Sequence, residues 1–356
     1  MKNILLASTA IVAFAGAAYA EGHTGVSFSG DAEIGYNDDF DDGMFWSFGL
    51  GVTGTMELDN GLTASISGDI DIDDSAETYG SRDIEMSDLV ISLSSDMASL
   101  TFGDTAPAAD ALYSSAVTNM DGDGFNEAED NGEDGVLIGR MSFGEAEVGI
   151  SYSVFNSNGA VNDDIAGLQV GANASFGTVD LTFGYQDADN FDGEIVALGA
   201  STTLGGATVG LGYSSTDGGT DSIGIQAAYT FGAVTATAFY VAQDPVDDNY
   251  GIALDYESGP ITVGALLHDG NDEDMQINAT YDMGNGLNLF AGYRDQKGLA
   301  DGDAFYVGGD YDLGGGANLR VSYAEAGSGY TGDDLEELGA AEDVKVGTTV
   351  ALSLAF

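Results

Sequence analysis

Residues 62–72 read LTASISGDIDI: Leu62, Ala64, Ile66, Gly68, Ile70 and Ile72 are apolar or glycine, and Thr63, Ser65, Ser67, Asp69 and Asp71 between them are polar. A period of two belongs to a strand with one apolar and one polar face. The pattern returns along the chain, at Val26–Tyr36, Val148–Tyr152, Val179–Tyr185, Val209–Tyr213 and Leu319–Tyr323. A chain built from such strands must either bury the apolar face in a core or turn it to lipid.

The junctions between strands bear on that choice, because they come in two alternating kinds. Short ones carry glycine: DNG (59–61), FGE (143–145), FGT (176–178), LGG (204–206), FGA (231–233), SGP (258–260), MGNG (283–286) and LGGG (313–316). Glycine supplies the positive φ of tight hairpins. Long ones are acidic, such as 187–194, 215–222, 242–249 and 268–274. Short turns on one rim and long polar loops on the other are the pattern of a transmembrane antiparallel β-barrel. With SDMA (95–98) as a ninth short turn, the count reaches twenty strands. Tyr36, Tyr152, Tyr185, Tyr213, Tyr293 and Tyr323 lie on the apolar face near the long loops, and Phe143, Phe176 and Phe231 on the same face near the short turns. Two aromatic rows around an aliphatic band match the two membrane–water interfaces. That face also holds many Ala and Gly, which lipid tolerates and a densely packed core does not.

The opening twenty residues, MKNILLASTAIVAFAGAAYA, read as a cleaved secretory signal: Lys2, an apolar run from Ile4 to Ala18, and the small-x-small site Ala18-Tyr19-Ala20. Removing them from 356 residues leaves a single 336-residue unit, residues 21–356, and takes one lysine, so the formal charge of −53 becomes −54. Such a chain repels nucleic acid. Without cysteine it has no disulfide framework and no thiolate metal site.

The chain ends KVGTTVALSLAF, an alternating strand closed by Phe356. Together with SFSGDAEIGY (27–36), YDLGGGA (311–317) and the FG turns, it resembles the Rhodobacter-type general diffusion porins of alphaproteobacteria. The resemblance implies a 16-stranded, water-filled barrel in the outer membrane, assembled as a homotrimer and passing small hydrophilic solutes and ions. An even strand number from 16 to 20 is therefore expected.

The rhythm breaks at 104–135, DTAPAADALYSSAVTNMDGDGFNEAEDNGEDG. Loops this long in compact domains are functional or disordered. The resemblance implies that this third long loop folds inward and narrows the pore, with a short helix within 107–117; an external loop is the other reading. Inside it, Asn119, Asp121, Asp123, Phe125 (through its carbonyl), Glu127 and Asp130 have the spacing of an EF-hand calcium loop, with Gly124 at the turn position. No flanking helix pair is evident, so a solvated acidic loop competes with a calcium site.

Four basic residues, Arg140, Arg294, Arg320 and Lys345, fall on the polar parity of strands. Avoidance of lipid, where a charge costs roughly 2–4 kcal/mol near the midplane, explains that placement by itself. The resemblance adds a role: wall cations facing an acidic inward loop across the constriction. Asp104 and Asp110 would oppose them from the loop, and Asp69, Asp71 and Glu147 share the interior parity. The excess of acids predicts a cation-preferring channel. His23 and His268 are the two histidines, and neither joins a hydrolase triad, phosphate loop, nucleotide fingerprint or zinc spacing. A non-enzymatic channel is the reading favoured; a soluble, acidic, calcium-binding surface or adhesion β-protein of a salt-adapted bacterium is the alternative.

Overall fold

The computed structural model describes residues 24–40, 43–74, 83–125, 135–155, 161–187, 193–270, 274–296, 302–327 and 344–356; for 73–74, 83–85 and 162–166 it describes the backbone alone. The expected leader lies outside these residues. The strands are β1 Thr24–Asn37, β2 Met44–Glu57, β3 Thr63–Asp74, β4 Asp83–Ser94, β5 Ala98–Gly103, β6 Val136–Phe143 and β7 Ala146–Phe155. There follow β8 Val161–Phe176, β9 Val179–Gln186, β10 Ile195–Leu204, β11 Ala207–Thr216, β12 Asp221–Phe231, β13 Val234–Asp244 and β14 Asn249–Ser258. The last are β15 Ile261–Asp269, β16 Asp274–Asp282, β17 Leu287–Gln296, β18 Asp303–Gly314, β19 Ala317–Ala326 and β20 Gly347–Ala355. One short helix, α1 (Ala108–Leu112), lies between β5 and β6.

Every strand pairs antiparallel with the next, and β20 returns to β1 from Asp31↔Ala355 to Asn37↔Thr349. Closure removes the sheet edge, and in hydrocarbon each unsatisfied backbone group would cost several kcal/mol. The ring has twenty strands, the number given by counting turns; the sixteen implied by the family resemblance is corrected upward. All nine short turns join successive strands, and Gly177 (φ 69°) and Gly232 (φ 67°) show the positive φ that two-residue hairpins need. Phe356 seals the ring seam: its backbone N–H and carbonyl exchange hydrogen bonds with Gly30 at 2.8 and 2.9 Å.

The apolar parity points outward and is exposed: Phe28 is 58% accessible, Ile66 51% and Phe176 65%. A soluble sandwich buries these positions. No helix among the described residues is long and apolar enough to cross a membrane, so any crossing is made by strands. Buried apolar clusters are instead small and internal. Ala108 packs on Val136 and Ile138; Ala109 and Phe125 on Ile195 and Ala197; Val117 and Met120 on Phe239 and Val241. A fourth joins Val344 to Phe290, Ala304, Tyr306 and Ala324.

Candidate functional site

After β5 the chain turns into the barrel. Pro107 precedes α1 and offers no side-chain cap, yet the first helical N–H groups need acceptors. The inner wall supplies them. Ser151 Oγ accepts from Ala108 N at 2.8 Å, and Gln169 Oε1 accepts from Ala109 N (3.1 Å) and Asp110 N (3.3 Å). Gln169 is fully buried and donates through Nε2 to Gln186 Oε1 at 3.2 Å.

Beyond α1 the segment crosses strand after strand. Thr182 Oγ1 donates to the Ser114 carbonyl (2.8 Å), and Thr118 N donates to Gln226 Oε1 (3.0 Å). Ser214 and Ser222 both donate to the Asp121 carbonyl at 2.8 Å. Asn249 Nδ2 donates to the Asn119 carbonyl at 3.3 Å, and the Asn119 amide nitrogen lies 2.6 Å from His268 Nδ1. Residues 108–122 are thus bonded to side chains from β7 to β15. At about 1 kcal/mol net per bond, the set opposes the ordering entropy of the loop by several kcal/mol.

Inside the loop, the Tyr113 hydroxyl donates to Asp123 Oδ2 at 3.1 Å, and the Tyr113 ring meets Phe125 edge-on at 5.3 Å. Burial raises the Asp123 carboxyl above its ordinary pKa, against the hydrogen bonds from Ser115 and Tyr113 that lower it. Burial, followed by the Asp123 charge, raises the Tyr113 hydroxyl as well.

Acids gather on the first strands. Asp31 and Asp71 flank Gly49 in register, and Ser29 and Asp69 flank Gly51, so four polar side chains stand over two bare positions of β2. Ser87 Oγ donates to Asp71 Oδ2 at 2.8 Å, and Asp104 Oδ2 accepts from the N–H of Asp88, where β4 bulges with φ 53°. On β18–β19, Arg320 grips Asp310 through two hydrogen bonds and lies 5.4 Å from the Phe290 ring centre. Arg294 Nε is 3.0 Å from Asp274 Oδ2. Arg140 has no ion-pair partner among the described residues; its stem runs beside Gly149, next to Leu112 of α1.

With an inward loop against one wall and acids on another, the geometry is that of a channel, and the sequence comparison agrees. The family model for Gram-negative porin matches residues 7–332. The chain belongs to this porin family. Family membership, with the outward apolar face and closed barrel, makes it an integral protein of the outer membrane and a channel protein rather than an enzyme. No curated protein sequence matches. Solved structures similar to this porin include a multiply substituted Rh. blastica porin, at 16% identity and TM-score 0.47. Another is described as "Asymmetric conductivity of engineered proteins", at 16% and 0.48, and a third is a triple mutant of Rhodopseudomonas blastica porin, at 17% and 0.40. Each alignment covers 94% of this chain and 100% of the other.

The porin's structure distributes the expected site residues unevenly. Asp110 lies in the first turn of α1, the Arg140 stem lies beside Gly149 where Ala108 and Leu112 of α1 rest, and Glu147 lies on β7 one inward position below Gly149. Asp69, Asp71 and Asp104 belong to the β3–β5 wall. Lys345 does not lie in a strand, as its parity suggested, but two residues before β20, with its ammonium 5.7 Å from the Phe45 ring centre. Of the expected calcium ligands, Asn119 is engaged with His268 and the Phe125 ring is buried; Glu127 and Asp130 lie outside the described residues.

Sequence reasoning passed over the residues that seat the loop: Ser151, Gln169, Gln186, Gln226, Asn249 and His268. It gave His268 no role, whereas the ring is buried against Phe239 and Asn119. One signal was available. At Val136 and Ile138, Ile195 and Ala197, and Phe239 and Val241 the interior parity is apolar too, which water would not favour. Those positions mark where something covers the wall.

Proposed function

We propose that this porin forms a water-filled, cation-preferring channel for passive diffusion of small hydrophilic solutes and ions, with the inward loop as its narrowest partition. The single observation behind this reading is the imbalance of unneutralised charge on the inner wall. Asp31, Asp69 and Asp71 stand together on β1 and β3, while Arg320 and Arg294 are already paired with Asp310 and Asp274. A low-dielectric wall focuses such a field on passing ions. Purified protein in a planar bilayer should give conductance steps, and its reversal potential in a KCl gradient should carry the sign of potassium preference. Anion preference would refute the reading.

The family resemblance supports a homotrimer, which cross-linking of detergent-extracted protein tests. Calcium is proposed at Asp121 and Asp123, supported by their spacing. Calcium takes six to eight oxygens and two carboxylates supply few of them, so affinity should be weak. Isothermal titration without heat of binding at millimolar calcium removes that part of the proposal.

A further inference from the structure

The geometry points to inner-face glycines of β8 and β11, Gly171 and Gly210, as the residues that set the bore, because they let the inward loop lie at backbone contact with the wall. The inference rests on the channel reading above.

Neither glycine is needed for a turn. Both sit inside strands, outside the positive-φ region, where glycine weakens a strand unless something approaches closely. Something does. A Cβ on Gly171 would overlap the carbonyl of Ala108, and one on Gly210 the carbonyl of Ala116. Neighbouring Gly184 and Gly212 stand against the Phe125 ring and the Met120 sulfur in the same way. By contrast a Cβ on Gly139, in β6, would meet nothing within 4 Å. Gly171, Gly184, Gly199, Gly210, Gly212 and Gly224 all stand against atoms of the loop and follow its path, whereas glycines such as Gly292 and Gly308 stand against wall side chains instead.

The obstacles at Gly171 and Gly210 are main-chain carbonyls, which cannot rotate aside as a side chain can. Carbon contacts settle near 3.5–4.0 Å, so an added methyl must lift the loop by about 1–2 Å. The wall behind it is a hydrogen-bonded strand, and the only free direction is into the interior. A lifted loop narrows the remaining passage.

The experiment uses the full protein in planar bilayers, with heat-modifiable migration in gels as the check that the barrel is intact. Gly171→Ala and Gly210→Ala should each conduct less than wild type and exclude smaller neutral polyethylene glycols, the double variant more so, while Gly139→Ala conducts as wild type. Should Gly171→Ala fail to assemble, Gly212→Ala takes its place with a smaller loss, since the end of Met120 can yield. Unchanged or increased conductance in the assembled alanine variants, or an equal loss in Gly139→Ala, overturns the inference and leaves the channel reading intact. Absence of conductance in wild type overturns the channel reading itself.

Discussion

Arg320 holds Asp310 across β18 and β19 in a two-bond clasp, Nε to Oδ1 at 2.9 Å and Nη2 to Oδ2 at 2.8 Å. The two are direct register partners, so the pair needs no bend of either strand. It leaves one wall acid neutralised. Arg320→Ala should make the channel more selective for cations and lower barrel stability by up to about 3 kcal/mol, since a partly buried carboxylate loses its partner. Arg320→Lys keeps the charge but not the fork, so its reversal potential should stay near wild type. Reversal potentials together with heat-denaturation midpoints in detergent separate these outcomes.

Arg140 carries a different expectation. With no ion-pair partner among the described residues, its charge opposes cations directly beside α1. Arg140→Ala should raise the potassium-to-chloride permeability ratio with little change in thermal stability. An unchanged ratio would place the side chain away from the ion path.

Gln169 accepts from two successive N–H groups of α1, those of Ala109 and Asp110. Gln169→Ala leaves both without that acceptor in a buried place, a loss of about 1–3 kcal/mol. Because that energy holds the loop rather than the barrel, open-channel current noise should rise while heat-modifiable migration stays normal. Gln169→Glu keeps the acceptor oxygen but buries a charge and sets its second oxygen against Gln186 Oε1, so it should restore quiet current only in part.

In calcium-free buffer the loop should also respond to pH through Asp123. Burial raises this carboxyl above its ordinary pKa, so the seated loop favours its protonated form. The contribution to seating is full below the usual carboxylate range and declines as pH rises through the raised value. Tyr113, Ser115 and Asp121 face the same carboxyl and shape the transition. Current noise should therefore be lower at acid than at neutral pH, and Asp123→Asn should abolish the difference. An unaltered pH dependence in Asp123→Asn would assign it to another group.

Hairpin positions and the outward face were legible because each depends on neighbouring residues, and the turn count, though not the family resemblance, reached the twenty strands observed. Alternation at Val179–Tyr185 decides which side of β9 is apolar, and Gly177 decides that the chain can turn before it. Arg140 and Arg320 were placed on the interior side for the same reason, since strand parity is a two-residue property. Lys345 was misplaced because its alternation with Val346 continues past the point where β20 begins.

What the sequence determined by itself was a closed, acidic, two-faced wall of 16 to 20 strands with one long interruption. Only the tertiary structure decided where that interruption rests. Gln169 caps Ala109 from sixty residues away, and Ser222 bonds Asp121 from a hundred and one. Such pairs exist only once the ring has closed and brought β7 to β15 around one interior. Likewise a strand glycine reads as a weak point until the carbonyl of Ala116 is seen against Gly210. A missing Cβ is a space, and only a neighbour from elsewhere in the chain gives it a function.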